Sequence, residues 1–297
     1  MRALHVPVLR DECLELLAVR PGGFYVDGTL GMGGHTREML LRSAPDGRVL
    51  GLDRDAESLA LARAGLESFG GRLRTEHADF RELPGLLAGE RPDGVLLDLG
   101  LSSAQLDDPE RGFSFAADGP LDMRLDRSQH ATAAELVNRL PEQALADLIY
   151  RYGEEPASRR IARAIVAARR QGRIRTTGEL ARVVRGAAGR SRRPGLDPAT
   201  RTFQALRIHV NRELESLGPA LIELADCLAE GGRLAVIAFH SLEDREVKQA
   251  FRGLSGQGFR SLTRKPVRPG PEELRRNPRS RSARLRALER ETQGRAA

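Results

Sequence analysis

Short apolar runs alternate with helical periods over the first hundred residues. Phe24-Tyr25-Val26 reads as a strand ending at Asp27, followed by a glycine-rich turn and a helix that begins near Gly34. Arg48 to Leu52 is a second strand, ending at Asp53. Asp55 stands where a helix cap is wanted, and Leu59, Ala62 and Leu66 recur at helical spacing in a helix running to about Phe69. Arg72 to Thr75 and Gly94 to Leu97 are the third and fourth strands, the latter ending at Asp98. Strands separated by helices predict an α/β fold with a mostly parallel sheet and right-handed crossovers.

The next convincing strand is Arg233 to Phe239. A parallel crossover needs only about a dozen residues, and the interval from Gly100 to Gly232 is far longer. It carries helical patterns of its own, clearest at Glu142 to Tyr150, Ala157 to Arg170, Thr177 to Ala187 and Thr200 to Arg212. The pattern therefore predicts a small helical domain over 126–201, inserted into a sheet domain made of 1–125 and 202–297. A helix from about Glu213 to Ala229 returns the chain to the sheet, and Gly231-Gly232 stops it. Ser241 is the expected cap of a helix reaching Phe251. Weak strands near Phe259 to Thr263 and Ser282 to Leu288 flank a stretch rich in proline and arginine.

The segment from Asp27 to Thr36 (DGTLGMGGHT) stands where the first strand turns into the first helix. Glycines there let a ligand approach the backbone and permit positive φ, and the helix N-terminus adds free N–H groups. Asp53 follows Gly33 by the interval at which a carboxylate receives ribose hydroxyls. Three aspartates at three strand ends around one glycine turn point to an adenosine ligand. Gly31 and Gly33 fit a dinucleotide fingerprint, but Thr36 takes the place of its third glycine, and no nucleotide-triphosphate loop follows. An acidic residue before the first glycine disfavours an anionic pyrophosphate and suits a ligand with an ammonium and a sulfonium. S-adenosyl-L-methionine is thus favoured, with a nicotinamide dinucleotide as the competing ligand.

The chain has 297 residues, 40% hydrophobic and 30% charged, with a net charge of +7. No stretch approaches the roughly 20 apolar residues of a membrane span, and the start lacks the apolar segment of a signal peptide. Two cysteines, Cys13 and Cys227, make neither a disulfide framework nor a four-thiolate zinc site. A cytoplasmic location and no metal are the expectations. The basic balance suggests a polyanionic partner, although the preference for arginine, with Lys248 and Lys265 the only lysines, also fits a GC-rich genome.

At this point a closer resemblance emerges. Tyr25 to Thr36, Leu96 to Met123 (LLDLGLSSAQLDDPERGFSFAADGPLDM), Asp197 to Glu213 (DPATRTFQALRIHVNRE), Gly232 to Arg245 and Asn277 to Arg286 (NPRSRSARLR) resemble, in order, the signatures of the bacterial 16S ribosomal RNA cytosine-N4 methyltransferases, the RsmH/MraW family. His5 to Leu9 is similar as well. The resemblance implies a class I (Rossmann-like) methyltransferase sheet with an inserted helical domain, and S-adenosyl-L-methionine contacts at Gly33, Gly34, His35, Asp53, Phe80, Asp98 and Gln105. Without it, Phe80 reads as a core aromatic, His35 as a first-turn helix residue and Gln105 as a solvated loop residue. The implied substrate is a cytidine of 16S rRNA in the small ribosomal subunit, near the decoding region.

Methyl transfer from a sulfonium is an in-line displacement, to which a protein contributes mainly position. The exocyclic amine of cytosine is a poor nucleophile, and acceptors for its N–H groups expose its lone pair. Asp98, Ser102 and His240 are the candidates for catalysis; Ser102 also reads as a turn residue and His240 as a packed loop histidine. The loop after Asp98 lacks the Pro-Pro-aromatic found in many amino-group methyltransferases, leaving Phe113, Phe115 or Phe239 to stack on a base. Arginines at 151–193 and basic residues at 264–286 are candidate phosphate contacts, and the target base must be unpaired or flipped out. The competing function is a non-catalytic RNA-binding ribosome assembly factor on the same fold. A homodimer is left open by the sequence.

Overall fold

The structure, a computed structural model, describes residues 7–128, 131–189 and 197–292. Of the motif at His5 to Leu9 and the arginines at 151–193, His5, Val6, Arg190, Arg192 and Arg193 lie outside the described residues. The elements in chain order begin with α1 (Arg10–Leu16), β1 (Phe24–Asp27), α2 (Gly34–Arg42), β2 (Arg48–Asp53), α3 (Ala56–Gly65), β3 (Leu73–His77), α4 (Leu83–Leu86) and β4 (Gly94–Asp98). They continue with α5 (Ser103–Asp107), α6 (Ala133–Arg139), α7 (Glu142–Gly153), α8 (Ser158–Gln171), α9 (Thr177–Ala188) and α10 (Thr200–Asn211). The chain ends with α11 (Leu217–Cys227), β5 (Arg233–Ala238), α12 (Ser241–Leu254), β6 (Phe259–Ser261), α13 (Pro271–Arg276) and β7 (Arg284–Arg290).

Two compact units result, one of residues 1–100 with 216–297 and one of 101–215. The expected insert of 126–201 falls inside the second unit, which takes in further residues on both sides. Among the described residues no helix is long and apolar enough to cross a membrane.

The first unit is built on a seven-stranded sheet in the order β3-β2-β1-β4-β5-β7-β6. β1 to β5 are mutually parallel, and β7 runs antiparallel to β5. This is the mostly parallel sheet that the alternation of strands and helices predicts. The strands are buried along nearly their whole length, as for a sheet covered on both faces. Tyr25, Leu96, Ala235, Ile237 and Leu285 pack on one face with Leu9, Leu14, Leu17, Met39 and Leu40. Each fully buried aliphatic side chain of this kind contributes about 1.5–3 kcal/mol. The order reverses between β1 and β4, so the chain departs in opposite directions from two neighbouring strands and leaves a crevice at their carboxyl ends.

Two boundaries differ from the sequence reading. α3 ends at Gly65 instead of near Phe69, and a turn containing Gly70 at φ +55° follows it. The helix expected from Glu213 starts at Leu217, because Arg212 and Ser216 both take left-handed backbone angles that interrupt the helix.

The second unit has its own core. Leu145, Ile149, Ile161, Ile165, Leu180, Val184, Phe203 and Leu206 meet at its centre, and the Phe115 and Phe203 rings stand edge to face at 4.7 Å. α6 and α9 start with reciprocal caps, Thr132 with Glu135 and Thr176 with Glu179. α8 turns Ile161, Ala162, Ile165 and Val166 inward and leaves Arg159, Arg160, Arg163 and Arg170 exposed. Asn211, fully buried at the end of α10, ties down the segment before α6. Its Oδ1 accepts from the Leu125 N–H at 2.7 Å, and its Nδ2 donates to Met123 O at 2.7 Å and Arg207 O at 3.0 Å.

Replacing Asn211 with alanine strands a buried N–H and a buried carbonyl, each costing about 1–3 kcal/mol. Chemical denaturation of Asn211→Ala should show a loss of about 2–4 kcal/mol. A loss below about 1 kcal/mol would mean that water or neighbours satisfy the segment without it.

Candidate active site at the carboxyl rim of the sheet

Because β1, β2 and β4 are parallel, their last residues, Asp27, Asp53 and Asp98, emerge on one rim, as the sequence pattern required. Asp27 is 1% exposed. Its Oδ1 accepts from the Thr29 N–H at 3.2 Å and its Oδ2 from the Thr36 hydroxyl at 2.7 Å. Burial pushes its carboxyl above the ordinary range, opposed by the nearby His35 ring and by these two donors. Both oxygens of Asp27 are therefore committed to shaping the turn.

The turn itself is drawn against the sheet. Gly28 N–H donates to Leu96 O and Leu30 N–H to Leu52 O. A side chain at Gly28 would put its Cβ 2.5 Å from Leu97 Cδ2 and 3.0 Å from Phe80 Cβ. Gly33 caps α2 in the left-handed region, φ +77°, and a Cβ there would lie 2.6 Å from Leu66 Cδ1. Glycine is required at both positions, by space at the first and by backbone angle and space at the second. Gly34 opens α2 itself, where the first N–H groups have no intrahelical acceptor.

Asp53 sits across this turn. Gly31 N–H donates to its Oδ2 at 2.6 Å and Asp55 N–H to its Oδ1 at 2.8 Å. One donor per oxygen fixes the carboxylate plane and leaves lone pairs for two more hydroxyl donors. Desolvation outweighs both donors and raises its pKa to about 6. Phe80 follows β3 in a short turn capped by Asp79, is 8% exposed, and carries the Arg81 guanidinium 4.8 Å from its ring centroid.

His35, in the first turn of α2, is 6% exposed, and neither ring nitrogen has a hydrogen-bond partner among the described residues. Its Nε2 lies 3.7 Å from Asp98 Oδ2, too far for a hydrogen bond. Asp98 Oδ1 is likewise covered and without a partner. The Asp98 backbone is held by its N–H donating to Thr29 Oγ1 at 2.6 Å, which pins the end of β4 to the glycine turn.

His240, not Ser241, is the cap of α12: its Nδ1 accepts the Glu243 N–H at 3.2 Å. Its Nε2 lies 3.0 Å from Glu243 Oε1, while Glu243 Oε2 accepts from the Phe239 N–H at 2.8 Å. The ring is thus committed to organising the end of β5. Ser102 and Gln105 belong to the second unit. There Ser102 Oγ accepts the Gln105 N–H at 3.2 Å and Gln105 Oε1 accepts the Ser102 N–H at 2.9 Å, a reciprocal cap on α5.

The sequence reading did not single out Thr29 or Glu243 and gave no role to the Thr36 hydroxyl. A threonine two residues after a strand-end aspartate was the available signal for the first.

Asp53 generates a pH dependence whose sign is fixed. Folded, it keeps its proton up to about pH 6; its ordinary value is 3.8. Stability from this group is present below the lower value and lost as pH rises through the higher one. Asp53→Asn removes that loss, so its thermal midpoint should fall less than the wild type's between about pH 4 and 7. Parallel melting curves across that range would refute the assignment.

Residues 2–291 match the MraW methylase family. A ribosomal RNA small subunit methyltransferase H of Syntrophobacter fumaroxidans is 51% identical over 309 residues, covering 97% of this chain and 96% of the relative. One of the same name from Sorangium cellulosum is 53% identical over 290 residues, covering 96% and 90%. Among solved structures, an rRNA methylase from Streptococcus thermophilus aligns with a TM-score of 0.46 at 13% identity, over 98% of this chain and 100% of that one. With a match running through almost every described element, the chain belongs to the MraW methylase family.

Proposed function

We propose that the protein transfers a methyl group from S-adenosyl-L-methionine to the exocyclic N4 of a cytidine in 16S rRNA of the small ribosomal subunit. The observation that carries the reading is the rim itself: a glycine turn, an oriented Asp53 carboxylate and, among the described residues, the buried His35 ring without a partner, and beside it the half-buried Asp98 with its covered Oδ1 unpaired. The names of the relatives support the RNA substrate.

The donor set fits the cofactor. Asp53 has lone pairs left for both ribose hydroxyls, and Phe80, whose Cβ adjoins the Gly28 turn, would offer its ring to the adenine. His35 and the start of α2, with Gly33 and Gly34, suit the polar amino-acid end. Bound there, S-adenosyl-L-methionine supplies an electrophilic methyl carbon on a sulfonium.

Asp98 would accept an N–H of the cytosine amine, turning the lone pair toward that carbon and bearing the positive charge that develops on nitrogen. Of the three candidates for catalysis it is the one with an uncommitted oxygen. His240 and Ser102 are engaged as helix caps. For Gln105 the support is the resemblance, since its side chain also serves a cap.

The second unit supports the RNA partner. Over 157–189 there are nine arginines against one acidic residue, Glu179. Arg160 and Arg163 border a shallow groove floored by Ala164, Ala167, Gly186 and Gly189, where small residues let a phosphate backbone come close. The backbone of ribosomal RNA is a polyanion that such arginines would neutralise.

Incubation with labelled S-adenosyl-L-methionine and small subunits from cells lacking the gene should place label in rRNA, and nucleoside mass spectrometry should identify N4-methylcytidine. Asp98→Asn should lower the rate on the order of hundredfold with cofactor affinity changed little. Asp53→Asn should weaken cofactor binding about tenfold to a hundredfold. Cofactor binding without methylated rRNA on any particle would replace the enzyme with an assembly factor.

A further inference from the structure

β4 and β5 lie side by side and parallel, with Asp98 opposite Ile237 and Leu99 N–H donating to Ile237 O at 2.9 Å. Paired residues share a face of the sheet, and so do residues two apart on one strand. Phe239, two positions beyond Ile237, is therefore on the Asp98 face. Its packing agrees, since it lies against the cluster that holds Leu96, Ile237 and Leu285 on that face. A rise of about 3.3 Å per residue and a strand spacing of about 4.8 Å put its Cα about 8 Å from that of Asp98.

The backbone of Phe239 is held while its ring keeps an open side. Its N–H donates to Glu243 Oε2 at 2.8 Å, and the next residue, His240, caps α12. The turn after Asp98 makes room for the ring: Gly100 takes φ +117°, and a Cβ there would stand 3.2 Å from Phe239 Cδ2. Phe239 is half-buried, and among the described residues no second ring and no guanidinium packs on it. The two phenylalanines that follow Asp98 in sequence are committed elsewhere. Phe113 is buried in the core of the second unit. Phe115 meets the Phe203 ring edge to face at 4.7 Å and the Arg185 guanidinium at 5.3 Å.

A base taken out of a helix loses its stacking, and an aromatic side chain restores it. A hydrogen bond to Asp98 holds the amine of a cytosine but leaves the base plane free to tilt, and in-line attack needs that plane fixed. A ring on the same face, one strand over and two residues further out, is placed so that a pyrimidine laid on it reaches Asp98 with its amine. We propose that Phe239 stacks on the target cytosine and sets its plane, taking the part of the aromatic missing from the loop after Asp98. This rests on the proposed transfer to a cytosine amine and adds to it the surface that receives the base.

The experiment is single-turnover methylation of small ribosomal subunits, taken from cells lacking the gene, by the full chain saturated with S-adenosyl-L-methionine. Phe239→Leu keeps an apolar side chain against the core and removes the ring. Its rate at subsaturating subunits should fall about fivefold to 150-fold, the range for one base–aromatic stack, with S-adenosylhomocysteine affinity by calorimetry as in wild type. Phe239→Tyr keeps the ring and should restore most of the rate. Phe69→Leu, at another half-buried phenylalanine packed on the same core, should change neither reading. A wild-type rate in Phe239→Leu overturns the stack, and so does an equal loss in Phe239→Tyr. A marked loss of S-adenosylhomocysteine affinity in Phe239→Leu also overturns it, by assigning the ring to the cofactor. Should Phe239→Leu not fold, Phe239→Met decides by the same two readings, its unbranched side chain filling the gap more readily. Failure of the wild-type chain to label rRNA would instead refute the RNA reading itself.

Discussion

The buried carboxylate of Asp27 is the constraint on which the site depends. It ends β1, accepts the Thr29 N–H and the Thr36 hydroxyl, and so closes the glycine turn from both sides. Thr29 then passes the constraint on, its own hydroxyl accepting the Asp98 N–H from the neighbouring strand. Three elements, β1, α2 and β4, are thereby held in one arrangement by two short side chains and one acid. Burying that acid is unfavourable, as its raised pKa records. The cost is tolerated because no other side chain of that size supplies two acceptors at the point where the parallel strands part.

The same economy explains which polar groups are left uncommitted. His240, Glu243, Ser102 and Gln105 spend their hydrogen bonds on helix starts, and Asp53 spends one lone pair per oxygen on the backbone. The His35 ring nitrogens and the covered Oδ1 of Asp98 have no partner among the described residues. Buried polar atoms are paired in nearly all native structures, so groups left without partners mark where a ligand completes the set. The sequence reading favoured Asp98 and left His240 open between a proton acceptor and a packed histidine; its partners make His240 a helix cap.

The strand ends were legible because local pattern fixes them. An apolar run closed by an aspartate reads the same in sequence and structure at Asp27, Asp53 and Asp98, and parallel pairing does the rest. The Asp55 cap was legible for the same reason, the N–H groups that its carboxylate accepts from lying two and three residues away. What could not be read depends on distance along the chain. Arg286 looks like a surface residue until Asp244, 42 positions earlier, is brought beside it. Asn211 looks like the frayed end of a helix until the backbone of Met123 and Leu125 arrives. The His240 cap was missed for a local reason, since serine is the commoner cap and stands next to it. The site residues Phe80, His35 and Gln105 were placed by motif resemblance, because burial and an amide or ring alone do not tell a ligand contact from a packed side chain.

Charge divides the first unit in a way that neither composition nor net charge reveals. The rim of β1, β2 and β4 is acidic and desolvated, with Asp27 and Asp53 both raised by burial. The stretch ending in β7 is basic, and Arg286 is sunk into the sheet. A protein that needed only to bind RNA would gain nothing from buried acids beside its basic residues, since they repel phosphates and lower its own stability at neutral pH. A protein that must hold a cationic cofactor and a polyanionic substrate together needs both signs, a short distance apart. With such ligands, the acids would disfavour a phosphate in the crevice and the basic stretch would disfavour a sulfonium, so each would be sorted by the field before any specific contact is made. Parallel strands ending in acids, followed by one antiparallel strand beginning with an arginine, put these opposite charges on a single edge of the sheet.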